Sequence, residues 1–210
     1  ALDDATYWAG TDDGLVAFSI RDGHVAQVDS LAAVNRRLVS RRIRRLEARD
    51  GRVWVGTTGG GLYIVDRGSE NVRSLAGLTD TPQYATIKVL DWAFEADGTA
   101  WIATHGRGIV RLRPEGDAWA ARAFTAADGL PDNMVKAVVI DETGGVWVST
   151  NDGFGGSLSA KDPSFQPIPL PVPGFQNTGR LFESADGSLF VAGGSRGLLR
   201  FDPDEYRTAS

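Results

Sequence analysis

His24 and His105 are the two imidazoles of a 210-residue chain that has no cysteine. Structural disulfides, thiolate zinc sites and cysteine nucleophiles are therefore excluded. A histidine with no second ligand nearby in sequence does not make a zinc site either. His105 stands in Thr104-His105-Gly106-Arg107-Gly108 and is the one reasonable general base. Matching loop positions elsewhere hold Asp12, Asp13, Thr58, Asn151, Asp152 and Arg196. With His105 and Arg107 these polar groups form a candidate ligand-binding surface, whose chemistry is recognition by hydrogen bonding. Asn, Asp and Gly are also the ordinary residues of turns, so a purely structural reading stays open beside it. Asn151-Asp152-Gly153 lacks the spaced acids and closing Glu of an EF-hand loop. The glycines at 59–61 and 193–194 lack the Lys-Ser/Thr of a phosphate loop, and no helix pattern follows them. Sialidase-type Asp boxes are not matched. The sequence thus assigns no catalytic residue, no metal ligand and no cofactor.

Those loops recur because the chain repeats. Five segments align on one aromatic: Tyr7-Trp8-Ala9-Gly10-Thr11, Val53-Trp54-Val55-Gly56-Thr57, Ala100-Trp101-Ile102-Ala103-Thr104, Val146-Trp147-Val148-Ser149-Thr150 and Leu189-Phe190-Val191-Ala192-Gly193. The spacings are 46, 47, 46 and 43 residues, a period that must be recognised before any other element is assigned. Four of the five are preceded by a tight-turn signal: Asp50-Gly51, Asp97-Gly98, Thr143-Gly144-Gly145 and Asp186-Gly187. A strand-like run precedes each turn, at 43–48, 89–95, 135–140 and 179–184. A Gly-led apolar run follows each aromatic, as in Gly61-Leu62-Tyr63-Ile64-Val65. In the fourth copy this run is read as delayed by a longer turn, Asn151 to Gly156. A more variable fourth run closes most repeats, such as Ala121-Arg122-Ala123-Phe124.

Each repeat thus reads as about four short antiparallel strands, the size of one blade of a β-propeller. The fold class is all-β, with blade repeats at about 1–38, 39–84, 85–131, 132–175 and 176–210. The first copy lacks an inner strand and the last an outer one, leaving about eighteen strands. That suits part of a larger six- to eight-bladed ring, with a closed five-bladed ring as the alternative. The initial Ala likewise reads as a piece excised from a longer protein. Alternation puts Trp54 and Gly56 on one face of their strand, and Val53, Val55 and Thr57 on the other. The ring then fills the wedge between blades, burying about 150–250 Å², and the small residue two positions on lets it lie flat. Helix is expected only over Leu31 to Leu38. The proline-rich stretch from Pro163 to Gly174 is either a polyproline ligand or a blade's outer edge. The edge reading is preferred, because proline cannot donate to a ladder.

Composition bounds the partners. Hydrophobic residues make up 42% of the chain, which argues against disorder. No apolar stretch reaches the length of a membrane span, and no leader pattern opens the chain. The net charge of -5 hides a run from Arg36 to Arg52 with eight arginines and two acids. The remaining chain is acidic, which disfavours nucleic-acid binding. The run is either a docking patch for an anionic partner or an exposed strand whose arginines pair with nearby acids.

The fullest copy runs from Gly129-Leu130-Pro131-Asp132-Asn133-Met134-Val135 through Asp141 and Gly144 to Trp147-Val148-Ser149-Thr150. It resembles the two-component regulator propeller repeat. Residues 77–80 and 40–43 echo parts of that opening, and the likeness extends over nearly the whole chain. The resemblance implies a periplasmic, extracytoplasmic sensor module that precedes a membrane helix and a histidine kinase or diguanylate cyclase in longer proteins. Membrane attachment would come only through such flanking segments. The implied partner is a small molecule, an oligosaccharide or a protein, with a homodimer as a further possibility. The family supplies no catalytic residues. The enzymatic alternative is a propeller lyase resembling virginiamycin B lyase, which would need His105 as base beside an acid and a divalent cation. A scaffold that mediates dimerisation is the third reading.

Overall fold

Antiparallel ladders make up most of the computed structural model, which describes residues 6–28, 31–69, 71–116, 118–172, 175–193 and 197–209. The strands are β1 (Thr6–Thr11), β2 (Gly14–Arg21) and β3 (His24–Val28), then β4 (Ile43–Arg49), β5 (Arg52–Thr57), β6 (Leu62–Asp66) and β7 (Val72–Ser74). After them come β8 (Val89–Phe94), β9 (Ala100–Thr104), β10 (Ile109–Glu115) and β11 (Ala118–Phe124). The last seven are β12 (Val135–Ile140), β13 (Val146–Thr150), β14 (Phe154–Ser157), β15 (Gln166–Ile168), β16 (Leu181–Glu183), β17 (Leu189–Ala192) and β18 (Leu198–Phe201). They form sheets of sequential neighbours, β1–β3, β4–β7, β8–β11, β12–β15 and β16–β18. Such up-and-down sheets are the blades of a β-propeller. Contacts divide the chain into two compact units, Ala1–Leu90 and Asp91–Ser210.

Within each unit the repeat explains the packing. In the first, Leu15, Ala17, Val53, Val55, Tyr63 and Val65 form one core between the first two sheets, with Trp8 against it. A Cβ on Gly10 would lie 2.5 Å from Ile43 Cγ2, so the small residue after Trp8 lets the next sheet approach. In the second unit Trp101 and Ala103 face Val146 and Val148 of the following sheet. Trp147 faces the other way, onto Leu181, Leu189 and Val191. Trp8, Trp101 and Trp147 thus point toward the following sheet of their own unit, and the valines beside Trp147 toward the preceding one, as strand alternation requires. The rings are held at their polar end too. The Trp101 indole N–H donates to Glu95 Oε1 at 2.8 Å, and that of Trp147 to Asp141 Oδ2 at 2.5 Å.

Exposed apolar side chains gather on one face of the first sheet and of the last. Tyr7 stacks on Phe18 at 5.6 Å, beside exposed Ile20 and Val25. Phe182 stacks on Phe190 at 5.0 Å, beside exposed Leu198.

Two readings of the sequence need correction. The stretch from Asn151 to Gly156 is not a longer turn, because β14 already begins at Phe154. Its glycines serve packing: a Cβ on Gly156 would lie 2.4 Å from the Trp147 ring, and one on Gly155 2.7 Å from Pro131. Helix also extends beyond the expected segment. α1 (Ala32–Arg37) lies where it was expected, but α2 (Leu75–Leu78) and α3 (Pro203–Ala209) were not foreseen. Asp202 starts α3 by accepting from the Asp204 and Glu205 amides at 3.0 and 3.2 Å, with Pro203 at the position where a missing N–H costs nothing. The proline-rich stretch contributes β15, the outer strand of its sheet, with Pro167 opposite Gly155. That is the edge reading.

The Gly-Leu-Pro opening also has a physical basis. Gly129 adopts φ 95°, and a Cβ there would sit 2.0 Å from the Phe165 carbonyl oxygen. Leu130 enters the core between sheets, and Pro131 lies over Gly155. Gly129→Ala is expected to destabilise the second unit by about 2–3 kcal/mol, read as a lower urea midpoint.

Candidate recognition surface

The threonine that ends each Trp strand builds the loop that follows it. Thr11, Thr57, Thr104 and Thr150 donate from Oγ1 to the carbonyls of Gly14, Gly61, Gly108 and Gly153, at 2.9, 2.8, 2.7 and 2.9 Å. In three loops an amide donates back to the same hydroxyl: Asp13, Gly60 and Arg107, at 3.1, 2.9 and 3.2 Å. Thr57, Thr104 and Thr150 are fully buried. Each loop is therefore fixed at its base, while its tip reaches water. Asp12, Asp13, His105, Arg107, Asn151 and Asp152 are all exposed.

In the second unit the backbone joins these tips into one ledge. His105 forms an antiparallel bridge with Met134. The Gly106 and Gly108 amides both donate to the Asn133 carbonyl, at 3.0 and 2.8 Å. The Asn151 amide donates to the Met134 carbonyl at 3.2 Å, and the Asn177 amide to the Asn151 carbonyl at 2.6 Å. Buried Thr178 locks the far side, accepting from the Thr150 amide at 3.0 Å with the Gly153 carbonyl 2.7 Å from its hydroxyl. The structure thus brings His105, Arg107, Asn151 and Asp152 onto one framework. Asp12 and Asp13 belong to the first unit, and Arg196 lies outside the described residues.

Sequence reasoning missed the residues that do the joining. Asn133 holds the ledge through its carbonyl, while its Oδ1 accepts from the Ala126 amide at 2.8 Å. Asp132 caps the Met134 amide at 2.7 Å. Their signal was present in the Asp-Asn pair closing the Gly-Leu-Pro motif, since both side chains cap backbone amides in turns. Lys136 donates to Asn177 Oδ1. Burial holds the Lys136 ammonium below its usual range, and the nearby Asp132 charge opposes that shift.

The first unit has a cavity of about 350 Å³ beside its own loop tip, between β2, β3 and α1. Asp13, Gln27, Arg36 and Arg41 stand on its wall, above Leu15 and Leu31. The arginine run divides between the two roles considered for it. Arg45 pairs with Glu47 at 3.1 Å and Arg49 with Asp50 at 3.1 Å, whereas among the described residues Arg41 reaches only the exposed Asp13, at 3.4 Å.

No group of three His, Cys, Asp or Glu could hold a metal ion among the described residues. Among the same residues, the His105 imidazole makes no hydrogen bond or ion pair with an acid that would orient it as a base. No helix of the described residues is long and apolar enough to cross a membrane.

Comparison with known proteins agrees with the repeat. Residues 129–152 match the family model described as two component regulator propeller. The fold resembles the extracellular domain of a hybrid two component system from B. thetaiotaomicron, with TM-score 0.75 and 22% identity over 98% of this chain and 27% of that one. A second such domain, of a one component system from the same organism, gives TM-score 0.70 at 18% identity, over 97% of this chain and 29% of that one. Virginiamycin B lyase from Staphylococcus aureus is more distant, at TM-score 0.57 and 14% identity over 94% and 70% of the two chains. No curated protein sequence matches the chain. The chain spans under a third of the two extracellular domains it resembles. With its sheets stacked through the repeated aromatics, the chain is a β-propeller that carries a two component regulator propeller repeat at residues 129–152.

Proposed function

We propose that the chain is a non-catalytic recognition module in the extracytoplasmic, periplasmic part of a bacterial signalling regulator. It reads a small molecule, an oligosaccharide or a protein through its Thr-clamped loops. The observation that carries this reading is the ledge, whose main chain is fixed by one set of backbone hydrogen bonds and presents four exposed polar residues. A loop backbone that is already ordered suits recognition, because less conformational entropy is lost on binding. The likeness in fold to extracellular domains of two component systems supports the same reading.

The lyase alternative draws on the similarity to virginiamycin B lyase. Against it stand the exposed His105 without a neighbouring acid and the lack of a metal-binding cluster among the described residues. His105→Ala separates the two. A recognition module should keep its melting temperature, since exposed substitutions change stability by less than about 0.5 kcal/mol, and binding should weaken only in degree. A lyase would lose turnover by about a hundredfold or more. The measurement is a thermal-shift screen of oligosaccharides, amino acids and virginiamycin B against both proteins, with turnover of the last followed directly. Turnover abolished in the variant would overturn the recognition reading.

A further inference from the structure

The first-unit cavity has a chemistry of its own. Its floor is apolar, with Leu15, Ala17 and Leu31 all buried in the core below. One wall is α1, which Val34 anchors in the core and Asn35 pins to the edge of β2. Asn35 Oδ1 accepts from the Leu15 amide and Asn35 Nδ2 donates to the Leu15 carbonyl, both at 2.8 Å, as a neighbouring strand would do. Gly14 permits this approach, because a Cβ there would lie 2.7 Å from Asn35 Oδ1. The cavity is therefore preformed, and its volume of about 350 Å³ lies within the range of small-ligand sites, roughly 300–1,000 Å³.

The charge at its mouth is positive. Arg36 lines the cavity and makes no hydrogen bond or ion pair with the described residues. Among the described residues Arg41 has one ion-pair partner, Asp13, whose side chain is 90% exposed. An exposed pair of that kind is worth at most about 1 kcal/mol, so a ligand carboxylate can displace it. Arg37, Arg42 and Arg44 follow in the same segment and also lack ion pairs with the described residues. In a chain of net charge -5 this is a local reversal of sign, and it draws anions toward the opening.

We infer that this cavity binds a small carboxylate with a compact apolar body, the carboxylate taken by Arg36 and Arg41 and the body resting on Leu15, Ala17 and Leu31. The inference rests on reading the chain as a recognition module and names the ligand chemistry of its first-unit loop end. Benzoate is the probe, with benzamide as its neutral isostere and inorganic phosphate as an anion without an apolar body. Isothermal titration should show saturable binding of benzoate, weakened by added salt, and binding of benzamide and phosphate weaker by about tenfold or more. Arg36→Gln and Arg41→Gln should each weaken benzoate by about tenfold, while Asp13→Asn tightens it by removing the competing carboxylate. Arg52→Gln, whose residue pairs with Asp66 at 3.5 Å away from the cavity, should leave benzoate binding unchanged. The inference is overturned if benzamide or phosphate binds as well as benzoate, if both arginine variants bind like the native protein, or if benzoate does not saturate. In the last case, a ligand from the wider screen that still shifts the amide signals of His105 and Arg107 would leave the recognition reading standing without this site.

Discussion

Trp147→Ala is expected to destabilise the second unit by about 3–5 kcal/mol, while Phe190→Ala, at the same position of the next repeat, should cost no more than about 1–2 kcal/mol. The difference comes from what covers each ring. Trp147 is fully buried, stacks on Phe154 at 6.1 Å, meets Phe201 at 5.0 Å and Tyr206 at 5.9 Å, and gives its N–H to Asp141. Removing it opens a cavity between two sheets and leaves a buried carboxylate oxygen with one donor fewer. Phe190 lies on the outer face of its sheet, against Phe182, which is 49% exposed. Urea midpoints of the two variants give the comparison. Equal losses would mean that another sheet, or a second copy of the chain, covers that face in solution. Sizing the native protein and Phe182→Ser across a concentration series would then show whether self-association is the cause.

Asp141→Ala should rank with Trp147→Ala, at about 3–5 kcal/mol, because it strips one buried acceptor from several donors at once. The Asp141 carboxylate accepts from the Thr143 and Gly145 amides at 2.9 Å each, from the Thr143 hydroxyl at 2.8 Å, from the Trp147 indole, and from Arg207 of α3. One side chain thus ties the turn before the Trp strand to the ring and to the last helix. Burial pushes its pKa up, but the bonds from Trp147, Gly145, Thr143 and Arg207 outweigh burial and hold it below the usual carboxylate range. A folded-state pKa below the unfolded one stabilises the fold above the unfolded value, and that contribution disappears as pH falls through the folded value. The native protein should therefore lose stability on acidification in a way that Asp141→Ala does not. Glu183 has the opposite sign. Burial, together with the charges of Asp141 and Glu142, raises its pKa, so its contribution is present below the unfolded value and is lost as pH rises through the folded one. In Asp141→Ala the Glu183 carboxyl should titrate closer to its ordinary range, which carbon-detected NMR can follow.

The packing was legible because it repeats. One aromatic at near-constant spacing marks the same strand of each repeat, and alternation then fixes which neighbour each side chain meets. Val146, Trp147 and Val148 follow that rule without exception. The rule fails where a residue type has two uses. Glycine marks turns, so Gly155 and Gly156 read as loop, although they lie in β14 to make room for Pro131 and Trp147. The indole acceptors were hidden for a related reason. Glu95 and Asp141 each stand six residues before their Trp, across turns closed by the same pair of backbone bonds, but the equivalent turn of the second repeat is built differently. At Asp50-Gly51 both residues have positive φ, whereas at Asp97-Gly98 the Asp side chain caps the Thr99 amide at 2.8 Å. The recognition surface was legible only as a set of loop tips. Its joining segment, Asn133 and Met134, works through main-chain atoms, so the Asp132-Asn133 pair marked a capped turn without marking which loops that turn would join.

The central claim is that the repeated indoles are sealed between stacked sheets. Side-chain hydrogen exchange of the Trp101 and Trp147 indole N–H groups, followed by ¹⁵N NMR, tests it most directly. Both protons should exchange only through global opening of the second unit, as slowly as the most protected amides of β9 and β13. Exchange at the rate of a free indole would place those rings in water and contradict the account.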